Sequence, residues 1–454
     1  MHTIGSRIFA ALLMAGAAAC GSSAARPEAA ENAESGLSLA DPVLAWNDIT
    51  GQAIATAAAT NSPPRPGPSS VLDYAMVHAA MHDAVQAIEG RFEPYAVVIP
   101  GASGSSFAAA AKAAHDVLVN RFPAQAAFLD SKYMGYLGDN GLAVNDPGVA
   151  VGQQAAAGLI ALRANDGSFP NPPLPPFTGG TSPGQWRPTT SYLPGPPPSG
   201  AAMAAEWLAF MTPFTLKSPD QFRPPAPPAL TSGKYTKEYE EVKRLGRDVN
   251  SERTEAQTDL AIFWNLNFIL QWNVALRDIS AAHIDDIAES SRLFALANLA
   301  MADAVISAWD CKRHFVYWRP VTAIQEGDAD GNPKTEGDPS WRPFINTPPY
   351  PEYSSGANNV TGATTKTLAL YFHGNSFTFQ VRGNPLANPP IRTYTHFSDA
   401  AADVVEARIL QGIHFRSADF FGRRQGRSVA KWVFTHYLRP VRGHPGDEDD
   451  AEDE

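Results

Sequence analysis

Apolar residues return every three to four positions along most of this chain, the spacing that keeps them on one face of a helix, while strict apolar–polar alternation is scarce. The pattern predicts helices over about 40–58, 69–89, 105–121, 147–165, 202–211, 234–248, 254–281, 288–318, 356–372, 399–411 and 419–437. The predicted fold class is therefore all-α: a helical bundle with long Pro-rich loops. Residues 166–200 hold eleven prolines, in runs such as PNPPLPPF and LPGPPPSG, and RPPAPPAL follows at 223–230. Proline lacks a backbone donor and favours polyproline geometry, so these segments read as surface wrapping. A boundary near 230 separates an N-terminal helical region, 36–230, from a C-terminal helical domain, 231–441.

Composition narrows the class. A chain of 454 residues, 44% hydrophobic and 18% charged, can bury a large core, as two domains or one large helical body. The formal charge is −11, but the terminal run DEDDAEDE supplies seven negatives, leaving 1–446 near −4. That tail, 442–454, reads as a solvated, disordered segment. No basic stripe exists, so nucleic acid is not an expected partner.

The first 20 residues read as an export signal: Arg7, an apolar run from Ile8 to about Ala19, then small residues. That run is too short to span a bilayer. AAAC before Gly21 resembles a lipoprotein cleavage box, with Cys20 as the lipidated residue and Ala17 where a larger aliphatic residue is usual. The expected location is outside the cytoplasm: periplasmic, extracellular or anchored through Cys20. Only Cys20 and Cys311 exist, so no intrachain disulfide is expected and cysteine metal sites are excluded.

Two motifs invite metal readings and do not sustain them. HAAMH sets His78 and His82 one helical turn apart, but no Glu lies between them and no third ligand is evident. DADGN at 328–332 has its Gly331 two positions early for an EF-hand loop and reads as a turn.

Three cationic patches carry more. In CKRHFVYWRP, Lys312 and Arg319 are seven residues apart, which on one helix returns them to within about 20° of each other, roughly 10.5 Å along the axis. Such a helix points Arg313 and His314 away from the Lys312 side. In YPEYSSGANN, Ser354 and Ser355 are suited to cap a helix, and Gly356 lets its free N–H groups approach an anion. In EARILQGIHFRSAD, Gly412 offers a helix stop after which His414 can turn back toward Arg408, and Asp419 could orient its ring. Read singly, each patch is also compatible with an ordinary capped helix end.

K-x6-R-P, then Ser-Gly at a helix start, then R-x5-H resembles the vanadium-dependent haloperoxidases, which share an active-site plan with type 2 phosphatidic acid phosphatases and bacterial acid phosphatases. The motifs cover about 235–440, and AWNDI at 45–49 and HAAMHDAV at 78–85 look like bacterial members. The resemblance implies an all-α bundle with the site in its C-terminal helices. It implies that Lys312, Arg319, Arg408, Ser355 and the Gly356 N–H hold vanadate or phosphate. His414 would be the catalytic residue, bonded to vanadium in a haloperoxidase or phosphorylated in a phosphatase, with Asp419 behind it. Vanadate is the implied cofactor of a haloperoxidase; a phosphatase needs none. The implied substrates are peroxide and halide, or a phosphate ester; a lipid anchor at Cys20 and a homodimer stay open.

The chain departs from the family's P-S-G-H motif, reading Ser354-Ser355-Gly356-Ala357, and Ala407 stands where Ser usually precedes the Arg. Ala357 cannot transfer a proton, and losing such a group costs roughly 10²–10⁴ in rate. Three functions stay open: a haloperoxidase using another proton donor, a phosphomonoesterase, or an exported oxyanion-binding protein without catalysis.

Overall fold

Thirteen α-helices are found among residues 39–441, the residues described by the computed structural model. The export signal, Cys20 and the acidic tail lie outside them. The helices are α1 (Pro42–Thr60), α2 (Ser70–Glu89), α3 (Ser106–Arg121), α4 (Ala126–Asp139), α5 (Pro147–Arg163), α6 (Gly233–Leu245), α7 (Glu255–Phe263), α8 (Phe268–His283), α9 (Ile287–Phe315), α10 (Pro320–Gln325), α11 (Gly356–Tyr371), α12 (Phe397–Leu410) and α13 (Arg416–His436). The all-α expectation holds, with one antiparallel hairpin added, β1 (Ser376–Arg382) and β2 (Ile391–His396).

Several boundaries differ from the periodic pattern, each for a local reason. The segment predicted over 202–211 forms only a 3-10 turn, Glu206–Ala209, because Ala205 is left-handed with φ 51°. The pattern at 254–281 breaks at 264–267, where the Asn267 side chain accepts from the Ile269 N–H at 3.0 Å and starts α8. α4 was not predicted. It buries only Leu129, Tyr133, Tyr136 and Leu137, four residues on one narrow stripe.

α9 is the centre of the molecule. It is long and apolar enough to cross a membrane by composition, and 94% of that stretch is buried in the fold, as a core helix requires. It packs on α2, α11 and α13, and the main buried cluster runs through both halves of the chain. The proline-rich segment wraps α9's end: Trp186 is fully buried and its N–H donates to Val316 O at 2.7 Å.

α11 and α13 meet at backbone distance. A Cβ on Gly426 would lie 2.0 Å from Asn359 O, and one on Gly362 would lie 2.3 Å from Arg423 O. Gly426→Ala is expected to lower stability by about 1–3 kcal/mol, since the helices must separate. Denaturant melts measure it; an unchanged midpoint would show that the helices separate without loss.

Candidate functional site

The predicted Lys312–Arg319 helix does not exist as one piece. α9 ends at Phe315 with Val316 left-handed (φ 49°), and the chain runs extended to Arg319, which precedes α10. The two side chains converge through this turn instead of a shared helical face. Arg313 points elsewhere, pairing with Glu206 at 2.8 Å, and His314 is exposed.

Lys312 is fully buried, and its ammonium donates to the carbonyl oxygens of Pro351 (2.8 Å), Glu352 (3.1 Å) and Ser354 (2.7 Å). An ammonium has three protons, so this lysine spends them all on the 351–354 loop. It brings charge to the site and holds the loop, rather than presenting a free donor as predicted. Burial, with Arg319 nearby, pushes its pKa well below the ordinary lysine value.

The two arginines keep donors free. Arg319 donates through Nε to Tyr350 O (2.8 Å) and through Nη1 to Ile413 O (2.8 Å), while its buried Nη2 has no partner. Arg408 donates through Nη1 to Gln411 Oε1 (2.5 Å), while its buried Nε has none. Burial lowers the pKa of both, that of Arg319 to about 10, which leaves them charged at neutral pH.

His414 reaches this cluster as the sequence suggested. α12 stops at Leu410, and Gly412 takes φ 78° where a Cβ would sit 2.2 Å from Gly246 O, so only glycine makes the turn. The imidazole Nε2 lies 3.2 Å from Arg319 Nη1. A guanidinium only donates, so Nε2 accepts and the ring proton sits on Nδ1, an assignment drawn from the network. Nδ1–H then donates to Glu352 Oε1 at 3.1 Å, which also accepts from the Phe415 N–H at 2.9 Å. Burial, with Arg319, Lys312 and Arg408 all repelling a further positive charge, holds the imidazole pKa well below its ordinary value. A neutral ring results, its Nε2 lone pair accepting from Arg319.

The carboxyl group behind His414 is thus Glu352, and the expected role of Asp419 is corrected. Asp419 instead accepts from Asn358 Nδ2 at 2.8 Å and meets Ser355, leaving Oδ2 without a partner. Burial raises both carboxyl groups to about 8. Glu352 was missed although its signal was legible: one acid among Pro and Tyr, two residues before the Ser pair.

Ser355 is the N-terminal boundary residue of α11, but its hydroxyl does not cap the helix, so the N–H groups of the first turn meet no capping side chain. Ser354 turns away, donating to Gln425 Oε1 at 2.8 Å. Gly356 and Ala357 are half-buried and, with Arg408, line a cavity of about 510 Å³. A larger, open depression lined by Glu255, Asp259, Arg392 and Asp403 includes none of these groups. The two set-aside motifs are structural: His78 bonds Asn47 (2.8 Å), His82 bonds Glu93 O (3.0 Å), and Asp330 accepts from Asn332 N (2.7 Å) within its turn.

Residues 292–443 match the family model of the VCPO second helical-bundle domain. The chain is 31% identical over 188 residues to vanadium chloroperoxidase from Curvularia inaequalis, a match covering 34% of this chain and 30% of that relative. Among solved structures it is similar to a bacterial vanadium-dependent iodoperoxidase, with TM-score 0.73 and 26% identity over 87% of this chain and 97% of the other. A holo-type bacterial vanadium-dependent chloroperoxidase shares the fold, with TM-score 0.67 and 18% identity over 82% of this chain and 93% of the other. In fold, in its C-terminal domain and in sequence the chain is thus similar to vanadium haloperoxidases.

Proposed function

We propose that these groups bind vanadate and that the protein is an exported vanadium-dependent haloperoxidase acting on peroxide and halide. The observation that carries the reading is the pair of buried guanidinium donors without partners, Arg319 Nη2 and Arg408 Nε, beside an uncapped helix N-terminus. Buried charge without a counter-ion costs several kcal/mol, and a bound oxyanion removes that cost. Arg319 and Arg408 would donate to it, Lys312 would add charge, and Ser355 and the Gly356 N–H would add hydrogen bonds. His414 Nε2 would hold it through its lone pair once Arg319 Nη1 turns its proton from the ring to the anion, with Glu352 fixing the ring from the Nδ1 side.

Bound there, vanadate would supply Lewis-acid activation of peroxide. Proton handling falls to this chain's own groups, because residue 357 is alanine. Asp419 keeps its proton near neutral pH, its carboxyl raised to about 8 by burial, and it contacts Ser355 at the edge of the site. Of the two protonated carboxyls, Glu352 is bound to His414 and Phe415, so Asp419 would be the proton donor in place of the family motif's histidine.

Orthovanadate is expected to bind one-to-one and, at about 100 times its dissociation constant, to stabilise the protein by ~2.7 kcal/mol. Arg319→Ala and Arg408→Ala should each abolish most of the gain. An unchanged melting temperature in saturating vanadate defeats the reading. Bromide oxidation by the loaded protein supports a peroxidase, whereas vanadate-inhibited phosphate release without it transfers the site to phosphomonoester hydrolysis through His414.

A further inference from the structure

The exposed side of α13 carries positive charge with no acid set against it. Its solvent-facing positions, Phe420, Arg424, Arg427, Lys431 and Thr435, follow one another at helical spacing and form one continuous face. Arg423 lies half-buried beside it, and Lys366 of the neighbouring α11 adds a further cation. No Asp or Glu occurs from 420 to 446. We propose that this face docks the chain's own acidic C-terminal segment, 447–454, instead of leaving that segment free in solvent.

Pairing elsewhere sets this face apart. Surface arginines on other elements have acids against them: Arg91 with Asp286 at 2.7 Å, Arg187 with Glu326 at 2.7 Å, Arg382 with Asp278 at 2.9 Å and Arg439 with Glu93 at 2.8 Å. Among the described residues, Lys366, Arg423, Arg424, Arg427 and Lys431 find no ion pair and no side-chain hydrogen bond. Burial, and then Arg427 and Lys431, lower the pKa of the Lys366 ammonium, so these three charges already repel one another. Lys366 and Arg427 also line a depression of about 600 Å³ with Asn375 and Ser398, room enough for a stretch of extended chain.

Charge and reach point to the segment itself. Of the residues 447–454, all but Ala451 are acidic. α13 ends at His436, and soon after it the Val441 N–H donates to Arg91 O at 2.9 Å. From there 442–446 can span up to about 16 Å and 447–454 a further ~26 Å when extended. Lys431 and Arg424 lie only about 7.5 and 18 Å back from His436 along the helix axis, so the segment can return over the face. Tethering gives it an effective concentration of roughly millimolar, which an anionic partner from solution has to exceed. A negatively charged lipid surface fits the same cations, but the acidic segment of the same chain stands between them.

The test is zero-length carbodiimide coupling of the full-length protein at low salt, which joins a lysine to a carboxylate where the two pair, read by mass spectrometry. Couplings within one molecule from Lys366 or Lys431 to 447–454 are expected, falling at least about fivefold in ~0.5 M salt as screening sets in. Arg424→Glu with Arg427→Glu alters only exposed positions, keeps both lysines, and should cut the couplings at least about fivefold by charge reversal. Absent couplings, couplings spread evenly over exposed Lys132, Lys217 and Lys334, or couplings unchanged in that variant overturn the proposal. Couplings only between two molecules overturn it in favour of a second copy. The peptide DEDDAEDE added in trans supplies a second readout. It should bind a full-length variant with each tail Asp→Asn and Glu→Gln at least about tenfold tighter than the native chain, whose own segment holds the face. Equal peptide affinity overturns the proposal. Equal binding of both proteins to vesicles of phosphatidylglycerol in phosphatidylcholine also overturns it and assigns the face to lipid.

Discussion

Ala357→His should raise bromide oxidation by the vanadate-loaded protein at least about tenfold, short of the ~10²–10⁴ that a well-placed acid–base group provides. Residue 357 is the second of α11, half-buried, and lines the cavity beside Gly356 and Arg408, so an imidazole there enters the space over the anion. Its ordinary pKa near 6.5 suits proton transfer around neutrality. The gain stays below the ceiling because the surrounding walls were not shaped around a ring. It should require His414, so Ala357→His combined with His414→Ala should be inert. A folded, vanadate-binding Ala357→His protein with no gain in bromide oxidation would show that proton transfer at this position does not limit the rate.

Glu352→Ala is expected to weaken oxyanion binding about 10–100-fold, the usual loss when the partner behind a ligating histidine is removed. Without the carboxyl group, nothing fixes the proton on His414 Nδ1 or holds the Phe415 N–H. Glu352→Gln separates orientation from charge, because its amide oxygen can accept both bonds and cannot ionise. In the native protein, affinity for tungstate, whose charge is constant above neutral pH, should fall as pH rises through about 8, where Glu352 and Asp419 lose their protons beside the anion. Lys312, Arg319 and Arg408 face the same space; Arg319 titrates only near 10 and His414 is already neutral, while burial holds Lys312 well below its ordinary value, so loss of its proton acts in the same direction as the carboxyls. Glu352→Gln should flatten part of the fall and Glu352→Gln with Asp419→Asn a larger part. A fall unchanged in the double variant would assign the pH dependence to Lys312 or other groups.

The same shifts govern the empty protein. Both carboxyls have folded pKa values raised above those of the unfolded chain, so the folded state holds the extra protons. Their contribution is whole below the ordinary carboxylate range and is lost as pH rises to about 8. The melting-temperature advantage of the native protein over Glu352→Gln with Asp419→Asn, without anions, should therefore shrink over that interval, while the lowered His414 and Lys312 act in the opposite sense in both proteins.

The helical core was legible from the chain because burial on one face leaves a periodic record. α2, α3, α5, α9 and α11 lie within a few residues of their predicted bounds, the C-terminal end of α9 excepted. So were the members of the cationic cluster, since Lys312, Arg319, Arg408 and His414 sit beside helix stops and caps that show in local sequence. The alanine at 357 needs no structure at all to be seen. What each group does with its hydrogen bonds was not legible. That Lys312 spends all three protons on loop carbonyls, that Glu352 rather than Asp419 stands behind His414, and that Arg319 Nη2 and Arg408 Nε stay free depend on how distant segments pack, the bonds concerned joining residues 39 to 95 positions apart. Helical periodicity is written within a few turns of one segment, whereas a hydrogen-bond partner is chosen by how distant segments pack. Here α11 and α13 approach closely over Gly362 and Gly426, and Asn358 of one meets Asp419 of the other.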